Sequence, residues 1–102
     1  MGLGDLLGQA TKLKQKIATV QEELEKQEVE GTAGGGMVKV VANGKQEFLR
    51  LSIDPQVVDP EDITMLEDLV LAAINEARRK SHELMMAEFS KITGGLPIPG
   101  IM

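Results

Sequence analysis

The first 24 residues most limit what this chain can fold into. Apolar side chains fall at Leu3, Leu6, Ala10, Leu13, Ile17, Val20 and Leu24. The steps alternate between three and four residues, which is the heptad seam of a helix that packs against one or two other helices. This predicts a helix over 1–27, polar outside the seam, with Lys12, Lys14 and Lys16 on its flanks.

The chain changes character after Gln27. Val29–Ala33 suits a short strand, and Gly34-Gly35-Gly36 demands a turn or bulge. A phosphate-cradling glycine loop would lead into a helix and carry a Lys-Ser/Thr pair, whereas a valine-rich strand follows here, Met37–Ala42. Asn43-Gly44 signals a two-residue type I′ hairpin, with Lys45–Ile53 as the return strand. In that register Ala42 faces Lys45, Val40 faces Glu47 and Val38 faces Leu49. Val38, Val40, Leu49, Leu51 and Ile53 then form the core face. Met37, Lys39, Val41, Phe48 and Arg50 form a mixed face that needs cover. The three strands occupy 29–53.

Asp59-Pro60-Glu61-Asp62 reads as a helix start, with Asp59 as N-cap and Pro60 at the first helical position. The helix is expected over 60–93. Its sheet-covering face would carry Ile63, Leu66, Leu69, Val70, Ala73, Ile74 and Ala77, with Leu84, Met85, Ala87, Phe89 and Ile92 beyond. Gly94 ends it, and 94–102 is a Pro/Gly-rich, apolar, irregular tail. The expected fold class is therefore α+β, in the order α-β-β-β-α. A small antiparallel three-stranded sheet is flanked by two long helices in a single domain spanning 1–102.

Helix length then predicts a dimer. At about 1.5 Å per residue the second helix is on the order of 50 Å long and the first about 35 Å. Strands of this length span only roughly 20–30 Å. Both helices must overhang the sheet, where they can pair as a protruding arm. A second copy related by a two-fold axis is the simplest cover for the exposed sheet face.

Composition narrows the chemistry. The chain has no cysteine and a single histidine, His82, so thiolate sites and histidine metal clusters cannot form within one chain. Asp54, Asp59, Glu61 and Asp62 are better explained by turns and caps than by a metal ion. Ser52, Ser81 and Ser90 have no local base partner, His82 reads as a surface residue, and Met85-Met86 reads as packing. No catalytic residue, metal, cofactor or small-molecule substrate is expected, and the chain is read as a non-enzyme. The longest apolar run, Leu69–Ile74, is too short to span a bilayer. No targeting segment is visible, and the chain is read as cytoplasmic with no membrane partner.

The formal net charge is −5, which disfavours an electrostatic nucleic-acid binder unless the charges segregate. They do in part. Leu51–Ala77 holds seven acids and no Lys or Arg, while basic residues gather at Lys12-Lys14-Lys16 and Arg78-Arg79-Lys80, with Lys39, Lys45 and Arg50 between.

Several blocks occur in an order that resembles the YbaB/EbfC family of bacterial nucleoid-associated proteins. They are the heptad helix, the glycine-rich turn, Gly36-Met37-Val38-Lys39-Val40, Asn43-Gly44-Lys45, Ile53-Asp54-Pro55, Met65-Leu66-Glu67-Asp68-Leu69-Val70, Ala72-Ala73-Ile74-Asn75-Glu76-Ala77 and Thr93-Gly94-Gly95-Leu96. The likeness covers essentially the whole chain. It implies a tweezers-like homodimer with helical arms, located in the nucleoid, that binds double-stranded DNA. Such binding would rest on phosphate contacts with little base readout, since no aromatic platform, helix-turn-helix or zinc-finger spacing is present. The residues available for it are Lys12, Lys14, Lys16, Lys39, Lys45, Arg50, Arg78, Arg79 and Lys80. The alternative is a protein–protein adaptor whose helical arms clamp another protein. The acidic net charge, the Met-containing arm and the apolar Leu96-Pro97-Ile98-Pro99 favour it.

Overall fold

A computed structural model of the chain describes residues 2–93. The elements follow the expected order: α1 (Leu3–Lys26), β1 (Glu28–Ala33), β2 (Val38–Asn43), β3 (Phe48–Ile53), a 3-10 turn at Pro55–Val57, and α2 (Ile63–Thr93). The strands form one antiparallel sheet in the order β1-β2-β3. The body is elongated, about 70 × 21 × 16 Å. The expected helix terminator Gly94 and the tail after it lie outside the described residues.

Small residues bring α2 onto the sheet. Ala73, Ala77 and Ser81 recur every fourth residue, so they share one helical face, and all three are fully buried. Opposite them stands Gly31 of β1. A Cβ at this glycine would lie 2.2 Å from the Ala73 carbonyl oxygen and 2.4 Å from the Ala77 nitrogen. The helix backbone thus rests almost directly on the strand. Val38, Val40 and Ala42 of β2, with Val57 of the 3-10 turn, complete the buried core, and Leu66, Leu69, Val70 and Ile74 pack at its border. Gly34, Gly35 and Gly36, at φ of 63°, 68° and 91°, make the β1–β2 connection. Three consecutive left-handed residues would strain any other residue type.

The second hairpin differs from the sequence expectation. Asn43 is the last residue of β2, and Gly44 does not have positive φ; Gln46 does, at 63°. The Gln46 N–H donates to the Asn43 carbonyl and the Asn43 N–H to the Glu47 carbonyl, so the loop has three residues, Gly44 to Gln46. Asn43 holds it in place. Its Oδ1 accepts from the Lys45 and Glu47 N–H groups, and its Nδ2 donates to Glu47 Oε1. Gly44 is needed for closeness instead. Its N–H donates to the Leu24 and Gln27 carbonyls at the end of α1, and a Cβ would meet Leu24 Cδ2 at 2.6 Å.

The longer loop and a bulge change the register. Val38 pairs with Ile53, Val40 with Leu51 and Val41 with Arg50, while Ala42 pairs with Phe48. Leu49 is the extra residue of the bulge. Phe48 therefore joins the face of Val40 and Leu51, not the face of Lys39 and Val41. The expected core role of β3 holds only for Ile53, which packs against the core, because α2 lies over β1 and β2 and reaches the rest of β3 only at its margin. Phe48, Leu49 and Leu51 are 50%, 44% and 53% exposed. The opposite sheet face, with Glu30, Thr32, Lys39, Arg50 and Ser52, is mostly polar, so the surface in need of cover is the β3 side of the α2 face.

The start of α2 shifts as well. Asp62 is the N-cap, its Oδ1 accepting from the Met65 N–H, and Asp59 instead closes a preceding turn through the Glu61 N–H. Asp54 accepts from the Gln56 N–H at the 3-10 turn. These three carboxylates serve backbone donors, as the turn-and-cap reading expects. Ile63, at the outer end of the expected core stripe, is half-exposed.

The close approach at Gly31 generates a prediction. Gly31→Ala places a methyl group against helix backbone that cannot yield, so the chain should lose about 1–3 kcal/mol or more. In urea denaturation the midpoint should fall with the slope unchanged.

Candidate functional site

The basic residues occupy three regions. On the arm, α1 packs against the outer half of α2. Leu24 is its buried anchor and Ile17 and Val20 are half-covered, while Leu3, Leu6 and Leu13 remain exposed. Lys12 and Lys16, one helical turn apart, line a groove between the helices together with Thr19, Glu23, Glu88 and Lys91. Lys14 is exposed and does not line it. Lys91 donates to Glu88 Oε1 at 3.1 Å. Lys12, Lys14 and Lys16 make no ion pair among the described residues.

The second region is the polar sheet face. Lys39 and Arg50 lie there on neighbouring strands as a diagonal pair, two residues out of register. Arg50 Nη2 pairs with Glu28 at 2.6 Å, whereas Lys39 has no ion pair among the described residues.

The third region lies where the hairpin meets α2. Ser81, buried beneath the loop, donates through Oγ to the Asn43 carbonyl at 2.6 Å and accepts from the Gln46 N–H at 3.0 Å. This serine, without a role in the sequence reading, pins the hairpin to the helix. The loop brings Gln46 against Asn75, Arg78, Arg79 and His82, and these five line a polar notch. His82, expected at the surface, is half-buried there, its Nδ1 3.3 Å from Gln46 Nε2. Arg78 donates to Asn75 Oδ1 at 2.7 Å, and Arg79 pairs with Glu83 at 2.8 Å. Lys45 is exposed at the loop.

Lys80 separates from its two arginine neighbours. It donates to the Glu30 carbonyl at 2.8 Å and pairs with Glu76 at 3.1 Å, on the β1 side of the helix. Its hydrogen bond holds the Glu76 carboxyl below the ordinary value of 4.5, with the charges of Lys80 and Arg79 and a Thr32 backbone contact adding to the effect and partial burial opposing it.

The structure thus gathers Lys12 with Lys16, Lys39 with Arg50, and Arg78 with Arg79, and it sets Lys80 apart. Sequence reasoning missed Lys91, Glu88, Gln46 and Asn75. Asn75, Arg78 and His82 follow an i, i+3, i+7 spacing that marks one helix face, so this stripe was available. Gln46 joins it only through the loop.

Residues 1–96 match the YbaB/EbfC DNA-binding family. The chain belongs to this family. A nucleoid-associated protein of Caldanaerobacter subterraneus is 50% identical over 99 residues, covering 97% of this chain and 89% of the relative. One from Acetivibrio thermocellus is 52% identical over 100 residues, with 97% and 88% covered. One from Moorella thermoacetica is 50% identical over 103 residues, with 98% and 99% covered. The crystal structure of an uncharacterized Helicobacter pylori protein superimposes with a TM-score of 0.83 at 24% identity, covering 92% of this chain and 99% of that one. At that identity the likeness speaks for the fold, and it places the α-β-β-β-α order among known structures. This YbaB/EbfC chain has no helix among its described residues that is long and apolar enough to cross a membrane.

The Glu76–Lys80 contact makes a pH prediction. A carboxyl whose folded pKa lies below its unfolded value stabilises the fold above the unfolded value, and the contribution disappears as pH falls through the folded value. The Glu76 contribution should therefore be present above pH 4.5 and vanish below it. Lys80→Met should return the Glu76 pKa toward 4.5, measured by NMR titration of its carboxyl carbon.

Proposed function

We propose that the chain is a nucleoid-associated protein that binds double-stranded DNA as a homodimer, through phosphate contacts and with little base readout. Membership of the YbaB/EbfC DNA-binding family over residues 1–96 carries this reading. The relatives are named nucleoid-associated proteins, which supports a cytoplasmic, nucleoid location for this one. The 102 residues act as a single domain, with one arm, one sheet and one long helix per chain.

Phosphate contacts need cations that are not already neutralised. Lys12, Lys14, Lys16, Lys39 and Lys45 are exposed and lack ion pairs among the described residues, so they are the first candidates. Arg50, Arg78 and Arg79 are held by exposed, readily exchanged partners. Lys80 is the most committed of the nine and contributes least. Net charge of −5 per chain makes binding modest and steeply salt-dependent.

The dimer part of this reading is supported by an apolar surface that the fold leaves open. Phe48, Leu49 and Leu51 of β3 meet the edge of Ile74 in a shallow, mainly apolar depression, and Leu71 on α2 is 57% exposed. A two-fold axis beside β3 would bury this patch against its copy. Leu51→Asp should convert the dimer to a monomer at micromolar concentration, read by light scattering. A wild-type chain already monomeric there would exclude the dimer.

DNA binding itself is tested by gel shift with duplexes of unrelated sequence in rising salt. The wild type should shift all of them at low salt, and charge reversal at Lys12, Lys14 and Lys16 should weaken every complex to a similar degree. No shift at low salt would remove the reading. The exposed seam of Leu3, Leu6 and Leu13 favours a second reading, an adaptor whose arms clamp another protein. Partners retained after nuclease treatment, together with loss of their capture by Leu6→Glu, would support it.

A further inference from the structure

The notch at the hairpin stands out by what it lacks. The chain carries 16 acids and 11 Lys or Arg residues, yet this cavity of about 380 Å³ is lined by Gln46, Asn75, Arg78, Arg79 and His82, with no carboxylate among them. Every lining side chain bears nitrogen. Such a set can surround an anion with hydrogen-bond donors.

Internal hydrogen bonds orient the donors without exhausting them. Asn75 Oδ1 accepts from Arg78 Nη2, which directs the guanidinium and leaves the Asn75 amide N–H groups and the other guanidinium N–H groups available. Gln46 Nε2 lies 3.3 Å from His82 Nδ1, a contact that engages that ring nitrogen and leaves the imidazole Nε2 outside it. Arg79 is engaged by Glu83 in a pair whose side chains are both about 60% exposed, a contact weak enough to exchange for a stronger anion. The loop residue is fixed from below, since the Gln46 N–H is bound by the buried Ser81 hydroxyl. The notch is therefore built before any ligand arrives.

We propose that Gln46, Asn75, Arg78, Arg79 and His82 form a preorganised seat for one phosphate group, filled in this protein by a phosphodiester of the DNA backbone. The source assigned to the phosphate rests on the DNA-binding reading above, whereas the chemistry of the seat does not. The assignment adds Gln46, Asn75 and His82 to a binding surface otherwise made of Lys and Arg. It also gives the hairpin a direct part in binding.

His82 is the chain's single histidine, so its imidazole NMR signals report on the notch without ambiguity. Titration of the untagged full chain with a short duplex should move these signals with the same Kd as the gel shift. Inorganic phosphate at millimolar concentration should move the same signals. Gln46→Gly removes the carboxamide while suiting the left-handed backbone at that position. It should weaken duplex binding about tenfold and leave the salt slope nearly unchanged. Arg78→Gln should weaken binding and also reduce the magnitude of the slope by about one per notch.

A duplex that binds while the His82 signals stay still would overturn the seat and leave DNA binding intact. Unchanged affinity in Gln46→Gly with an unaltered thermal midpoint would do the same. Signals that move with inorganic phosphate but not with duplex would uphold the seat and overturn DNA as its source. If no duplex binds, the DNA reading fails, and the phosphate titration alone then decides the seat.

Discussion

At Gly31 the second helix comes so near the first strand that there is no room between them for a methyl group. Most other features of the fold follow from that contact. Ala73, Ala77 and Ser81 are small because a larger side chain at any of them would lift the helix off the sheet. With the helix seated over β1 and β2, it is too narrow to cover β3 as well. Phe48, Leu49 and Leu51 of β3 are left open by geometry, although their residue types suit a core.

The same seating has consequences at both ends of the sheet. Toward the hairpin, Ser81 arrives beneath the loop and binds both the Asn43 carbonyl and the Gln46 N–H. This fixes a loop that lies outside any regular ladder, and it sets Gln46 beside the arginines of α2. Beyond the sheet, α2 continues into a long overhang. An overhanging helix gains little from its own propensity and needs a packing partner. The half of α1 nearer the sheet supplies one, anchored through Leu24 against Gly44. The arm and the notch are thus two outcomes of one helix placement.

The charges make sense in this frame. Acidic residues dominate the chain, but half of the 16 are used up locally. Asp54, Asp59 and Asp62 serve backbone N–H groups, Glu28, Glu76, Glu83 and Glu88 pair with basic neighbours, and Glu47 accepts from Asn43. The lysines of α1 have no such partners among the described residues. Net charge describes the far field of the molecule, whereas a contact with a phosphate is decided by which cations remain unpaired nearby.

Much of the architecture could be read from the residues. The alternating three- and four-residue steps of α1, the triple glycine, the valine-rich β2 and the apolar face of α2 each declare an element, and their order declares the fold class. These features are local, since periodicity and backbone preference act within a few residues. What the tertiary structure decided involves residues far apart in the chain. Asn43-Gly44 has the composition of a tight turn, but Gly44 is held by Leu24 and Asn43 by Ser81, so the loop lengthens and the register of β3 moves. Phe48 changes face as a result, and Leu49 and Leu51 remain uncovered because α2 is fixed at Gly31. Nine of the eleven basic residues were visible as candidates. Which of them stand free, and which meet Gln46 and His82 in one notch, depended on side chains brought together by folding, and spacing along a single helix face hinted at three of the notch's five residues.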